Sequence, residues 1–170
     1  MVGSYDYGLV VLSIFIAMAA SYVALDLASR TAAARGWVKG VWLAGGAGAM
    51  GLGIWSMHFI GMQAFSLPVP IRYDMPLVWL SLLAAVLASG VALFVVSRPT
   101  LTWVGASAGS LIMGAGIASM HYIGMAAMRL AAIPRWNALV VALSIAIAVV
   151  VSLVALGLAF LLRAEHRSLA

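Results

Sequence analysis

Five long runs without a formal charge constrain this chain more than any other feature: Tyr7–Leu25, Gly40–Ile71, Met75–Ser97, Pro99–Met128 and Asn137–Leu162. About 20 consecutive apolar residues carry a helix across the hydrocarbon core of a bilayer, so each run is long enough for one span. In lipid every backbone polar group must be paired inside the protein, and separate apolar runs meet that demand as helices. The second and fourth runs exceed one span and have residues left for a loop. Pro68 and Pro70 place one loop after helix two, and Pro134 places another after helix four. The expected fold is an all-α integral membrane protein with about five transmembrane helices. Its 170 residues form one membrane domain with no soluble output domain.

Composition agrees that the solvent is lipid. Charged residues are 8% of the chain and apolar ones 66%, whereas soluble domains carry roughly a quarter charged. Mean hydropathy is +1.18. A net charge of +5 would otherwise raise nucleic acid as a partner, but the nine basic residues are scattered between the apolar runs. There they act as topology signals and contacts for anionic lipid, so the bilayer is the partner and nucleic acid is not. Arg30, Arg35, Lys39, Arg98, Arg163 and Arg167 fall on one side, against Arg72, Arg129 and Arg135 on the other. That bias puts the N-terminus outside and the C-terminus in the cytoplasm. The chain has no cysteine, which excludes disulfides, thiolate metal ligands and iron–sulfur clusters held by this chain alone. The first run follows an acidic residue and lacks a basic n-region, so it is a span rather than a removable signal peptide.

The chain repeats itself. "MGLGIWSMHFIGM" (50–62) aligns without gaps on "MGAGIASMHYIGM" (113–125). The odd helices repeat as well, making Ser13, Ser81 and Ser144 equivalent, and likewise Ser21, Ser89 and Ser152. The unit is an odd helix followed by a histidine helix, over about 5–67 and 73–130, with a half unit over 136–162. Much of it reads as packing. Ser13, Ala17 and Ser21 and their counterparts form ridges of small residues that let helix backbones approach in lipid. Gly105 and Gly109, and Gly45, Ala49 and Gly53, make similar ridges.

The repeated heptapeptides "SMHFIGM" and "SMHYIGM" hold His58 and His121, two of the three histidines in the chain. At about 1.5 Å per residue, His58 lies roughly 27 Å from Gly40 and His121 roughly 30 Å from Leu101. Both therefore sit near the outer boundary, at one level, on helices of the same direction. Residues four apart share a helix face, so His58 pairs with Met62 and His121 with Met125. Met57 and Met120 project about 100° away. Gly51 and Gly114 leave a smooth strip beneath each imidazole, open to a neighbouring helix or a flat ligand. Histidine in lipid is costly unless it meets protein, water or a ligand. Thioethers suit Cu(I) and imidazole suits both copper states, so copper is the favoured metal. The two pairs can serve one ion or two. A haem between the histidines is a less favoured alternative, and hydrogen-bonded packing with Met as gap-filler is the plainest.

Other polar residues have structural readings. Asp26 pairs with Arg30 four residues on, and Asp6 and Asp74 cap helices one and three, with Asn137 at the third position. Trp37, Trp42, Trp55, Trp79, Trp103 and Trp136 lie mostly near span ends, as an aromatic belt expects. His166 belongs to the charged tail. No nucleophile–base set is apparent, so the chain is read as a non-enzyme.

The chain resembles the MHYT family of bacterial integral-membrane sensor domains. The family motif Met-His-Tyr-Thr appears as Met57-His58-Phe59-Ile60 and Met120-His121-Tyr122-Ile123, and "YDYGLVVLS", "ASYVALDLASR" and "LPVPIRYDMPL" also read like family segments. The resemblance implies a sensory domain in the bacterial cytoplasmic membrane that binds copper near the outer face. It would respond to oxygen, carbon monoxide, nitric oxide or redox state. Carried over by position, the ligands are Met57, His58, Met62, Met120, His121 and Met125. It also implies a signalling output protein, or a second copy of the chain, as partner. The chain departs from the family in having two motif copies where a third is usual, and Ile where the motif has Thr. A membrane anchor or assembly subunit of a larger complex is the alternative function.

Overall fold

A computed structural model describes residues 4–66, 71–129 and 137–168, with side chains of the last helix as far as Leu162. Five helices form the protein: α1 (Tyr7–Ala33), α2 (Gly36–Gln63), α3 (Met75–Val96), α4 (Trp103–Ala127) and α5 (Ala138–Ser168). All are long and apolar enough to cross a membrane, α5 through Ala138–Leu162. The fold is therefore all-α and multi-pass, as the charge-free runs require. The loop residues Pro68, Pro70 and Pro134, together with Arg135 and Trp136, lie outside the described residues, as do the side chains of Arg163, His166 and Arg167.

One boundary differs from expectation. The charge-free runs stop at Leu25 and resume at Gly40, but α1 continues to Ala33 and α2 begins at Gly36. The cause is local. Arg30 Nε donates to Asp26 Oδ2 at 2.6 Å across one helical turn, and Arg30 also lies over the Trp42 ring at 5.3 Å. The helix runs on to Ala33; Ala34 and Arg35 are extended, and Gly36, with a φ of 56°, turns the chain into α2. The link is Ala34 and Arg35 alone.

Caps recur at one end of the bundle, called here the motif end because the heptapeptides lie there. Asp6 accepts from Gly8 N and Leu9 N, Asp74 from Leu77 N, and Asn137 from Leu139 N and Val140 N. Each satisfies orphan donors at the start of an odd helix. Two short antiparallel strand pairs close the same end: β1 (Ser4–Tyr5) with β2 (Phe65–Ser66), and β3 (Arg72–Tyr73) with β4 (Met128–Arg129). The sequence shows no alternation over such two-residue strands, so they were not anticipated. Beside them Asp6 N donates to Ala64 O and Asp74 N to Ala127 O, both at 2.8 Å.

Consecutive helices make the main contacts, so α3 is wrapped on two sides while α1 and α5 present broad faces outward. The small-residue ridge shows the effect. On α3, Ser81, Ala85 and Ser89 are buried, whereas Ser21 on α1 is exposed. Ser21, Ser29 and Thr31 donate to the carbonyl four residues back, which satisfies their hydroxyls without another helix. Large apolar side chains such as Val104 and Leu139 face outward, a surface suited to lipid.

Glycine sets the closest approaches. A Cβ on Gly51 would lie 2.6 Å from Val86 Cα, and one on Gly114 would lie 2.7 Å from Val149 Cα. Gly53 and Gly116 would likewise meet Ala20 and Ala88, each at 2.7 Å. The paired residues are equivalent in the repeat, so the two units are built on the same backbone contacts. On the expected ridges, Gly109 packs on Val95 and Leu156, while Gly45 has no atom within 4 Å of its Cβ position. The strip beneath each imidazole is thus filled by a neighbouring helix, α3 at Gly51 and α5 at Gly114. It is not left open for a flat ligand.

Candidate functional site

Both histidines arrive at one place. Their rings have centroids 4.9 Å apart and meet edge-on at 63°. Helices α2 and α4 otherwise touch little, so the meeting depends on local geometry at the motif end. Gly124 permits it: a Cβ there would lie 3.1 Å from His58 Nε2 and 3.4 Å from its Cδ2. Any larger residue at 124 would press on the imidazole. Phe59 and Tyr122 stand edge-on to the adjacent imidazoles, with centroids 5.6 and 5.1 Å away.

A cavity of about 270 Å³ lies against the two rings, between α2, α4 and α5. Met57, His58, Met120 and His121 line it. Four of the six carried-over residues are therefore together. Met62 and Met125, which share a helix face with the histidines, are half-buried and are not among its lining residues. The hollow opens between the directions of His and the preceding Met, so both reach it. Met120 is buried at 3% exposure.

The Nε2 atom of His58 is buried and has no hydrogen-bond partner. A buried polar atom without a partner costs about 1–3 kcal/mol, and a native structure that keeps one usually has a use for it. Among the described residues no three of His, Asp or Glu gather. The donors on offer are two imidazoles and two thioethers, a soft and neutral set.

The remaining wall is polar on one side. The Tyr122 hydroxyl and Ser144 Oγ form a short hydrogen bond, and Ser144 Oγ also donates to Val141 O at 2.8 Å. Ala118, Tyr122 and Ser144 all line the cavity, and none was singled out as a site residue from sequence. A signal existed: Tyr122 for Phe59 is the one difference between the two heptapeptides. Elsewhere at the motif end, Arg129 donates to Asp74 at 2.7 Å and holds its carboxyl below the usual carboxylate range.

Repeated helix pairs, an imidazole pair at one end and a lipid-facing exterior define a multi-pass membrane domain built around an internal repeat. The family described as "Bacterial signalling protein N terminal repeat", MHYT, matches residues 1–40, 51–109 and 114–170, and the chain belongs to that family. It is 50% identical over 98% of its length to the bifunctional diguanylate cyclase/cyclic di-GMP phosphodiesterase MucR of Pseudomonas aeruginosa, of which it covers 24%. It is 40% identical over 97% of its length to the signalling protein YkoW of Bacillus subtilis, covering 20%. It is also 38% identical over 91% of its length to the cyclic di-GMP phosphodiesterase NbdA of Pseudomonas aeruginosa, again covering 20%. The chain thus spans a quarter or less of these relatives, and the shared part is the membrane sensor domain of signalling proteins. No solved structure matches it.

Proposed function

We propose that this chain senses through copper, held by His58 and His121 with the thioethers of Met57 and Met120. The observation that carries the proposal is the buried, unpartnered Nε2 of His58 beside the His121 ring, in a cavity that both methionines line. Imidazole and thioether together retain Cu(I) while imidazole also serves Cu(II), so the donor set suits a redox-active ion. When bound, copper would supply an acceptor for oxygen, carbon monoxide or nitric oxide, or an electron to lose. The chain's own residues hold the imidazoles in contact, keep them among apolar side chains and leave space beside them. Ring centroids 4.9 Å apart favour one shared site over two independent ones. They do not favour haem, because α3 and α5 fill the glycine strips that a macrocycle would need.

The basic residues support an outside N-terminus, which puts the site near the outer face of the bacterial cytoplasmic membrane. In the relatives named as cyclic di-GMP enzymes the same domain precedes or accompanies far more chain, and an output of that kind is the proposed destination of the signal. An output protein or a second copy of this chain is the proposed partner.

Copper content of purified protein tests the assignment. Either His58→Ala or His121→Ala removes most of the copper from a shared site, whereas each removes about half from two separate sites. In spheroplasts, an impermeant Cu(I) chelator strips the metal when the site faces outward. Unchanged Cu(I) affinity in the double variant refutes the ligands, and full protection from the chelator refutes the orientation.

A further inference from the structure

The internal repeat provides a control for the cavity wall. Ala118 is equivalent to Trp55, Tyr122 to Phe59 and Ser144 to Ser81. Between α2 and α3, Trp55 Nε1 donates to Ser81 Oγ at 3.0 Å. The hollow there, about 320 Å³, is lined by Trp55, Phe59 and Tyr73 and by neither imidazole. Between α4 and α5 the indole is reduced to the Ala118 methyl, and the serine's partner becomes the Tyr122 hydroxyl. The two changes fall in the wall of the cavity that both imidazoles line.

We propose that Ala118, Tyr122 and Ser144 form the pocket for a small exogenous ligand at the paired histidines, and that this ligand competes with Ser144 for the Tyr122 hydroxyl. The proposal rests on the copper reading above and adds the residues that receive the ligand and a route of response. Ser144 Oγ donates to Val141 O, so in the Tyr122–Ser144 pair the tyrosine is the donor. A ligand that accepts a hydrogen bond can take that proton contact, leaving Ser144 with its own helix carbonyl. No covalent bond changes. The interhelical bond between α4 and α5 is exchanged for one between α4 and the ligand. Size favours a small ligand: about 270 Å³ must hold both it and the metal, below the about 300–1,000 Å³ of pockets that take drug-sized molecules.

Carbon monoxide on the Cu(I)-loaded protein in nanodiscs is the probe, with its infrared stretch and the copper content read on the same samples. A hydrogen bond to the carbon monoxide oxygen draws electron density toward it and lowers the stretch. Tyr122→Phe removes the donor and raises the stretch. Ser144→Ala removes the competitor and lowers it. Opposite shifts are expected, because a tyrosine and serine that merely pack would move together or not at all. Ala118→Trp restores the wall of the first unit and is expected to weaken carbon monoxide binding more than tenfold with copper retained. Copper-loaded wild type that binds no carbon monoxide, or shifts that are absent or of one sign, overturns the pocket and leaves the copper reading intact. Wild type that takes up no copper refutes the copper reading, and this proposal with it.

Discussion

The two repeat units share a scaffold and differ in their walls. Gly51 lies against Val86 as Gly114 lies against Val149, and Asp6 clasps Ala64 as Asp74 clasps Ala127. The likeness stops at particular side chains near the motif end: Trp55 is replaced by Ala118, Phe59 by Tyr122 and Ser66 by Arg129. Backbone-level contacts tolerate no change, because a methyl group placed 2.6 Å from another backbone atom must push two helices apart. Side chains that edge a hollow are under no such restraint. A duplicated scaffold could therefore keep its packing while one of its seams acquired a tyrosine hydroxyl beside the imidazoles.

The strongest way to break this comparison is at the shared glycines. Gly51→Ala and Gly114→Ala should each cost about 3 kcal/mol, the upper end of the overpacking range, since the obstructing atom is backbone rather than a flexible side chain. Unfolding in mixed micelles measures it, and tolerance of one substitution but not the other would show that the seams are not equivalent. A smaller effect is expected where the units differ. Trp55→Ala should cost about 2 kcal/mol, below the usual range for a buried tryptophan because this one is only half-buried. Copper content should be unchanged, because Trp55 does not line the imidazole cavity. Loss of copper in a stable Trp55→Ala protein would merge the two seams into one site.

The smallest effect separates Arg129 from Ser66. The Arg129 guanidinium depresses the Asp74 carboxyl, so its contribution to stability is complete above the ordinary carboxylate value of about 3.9. It fades as pH falls through the lower folded value. Asp74→Asn should leave neutral-pH stability almost unchanged, as surface ion pairs usually do, and should flatten the acid limb of the stability profile. An acid limb identical to wild type would show that the pair contributes nothing.

Local features were legible in the sequence. The five spans follow from run length, the Asp26–Arg30 pair from its four-residue spacing, and the caps at Asp6, Asp74 and Asn137 from residue type before an apolar run. The convergence of His58 with His121 follows from equal depth on co-directional helices. Less could be read where rotation between helices decides. Helical spacing grouped His58 with Met62, but it is Met57 that lines the cavity with His58. The α1–α2 boundary was placed too wide because charge was taken to end a helix, whereas the Asp26–Arg30 pair lies within one. Ala118 carries no chemistry of its own. Its meaning lies in the tryptophan it replaces.

Helix α5 carries Ser144 at the cavity and continues unbroken to Ser168, about 36 Å further at 1.5 Å per residue. Mechanically it is a lever with its short arm at the site. A tilt of about 5° pivoting near Ser144 moves the far end by about 3 Å over that length. Stiffness decides how much of that stroke survives, and Gly157, with no atom within 4 Å of its Cβ position, is where the rod is thinnest.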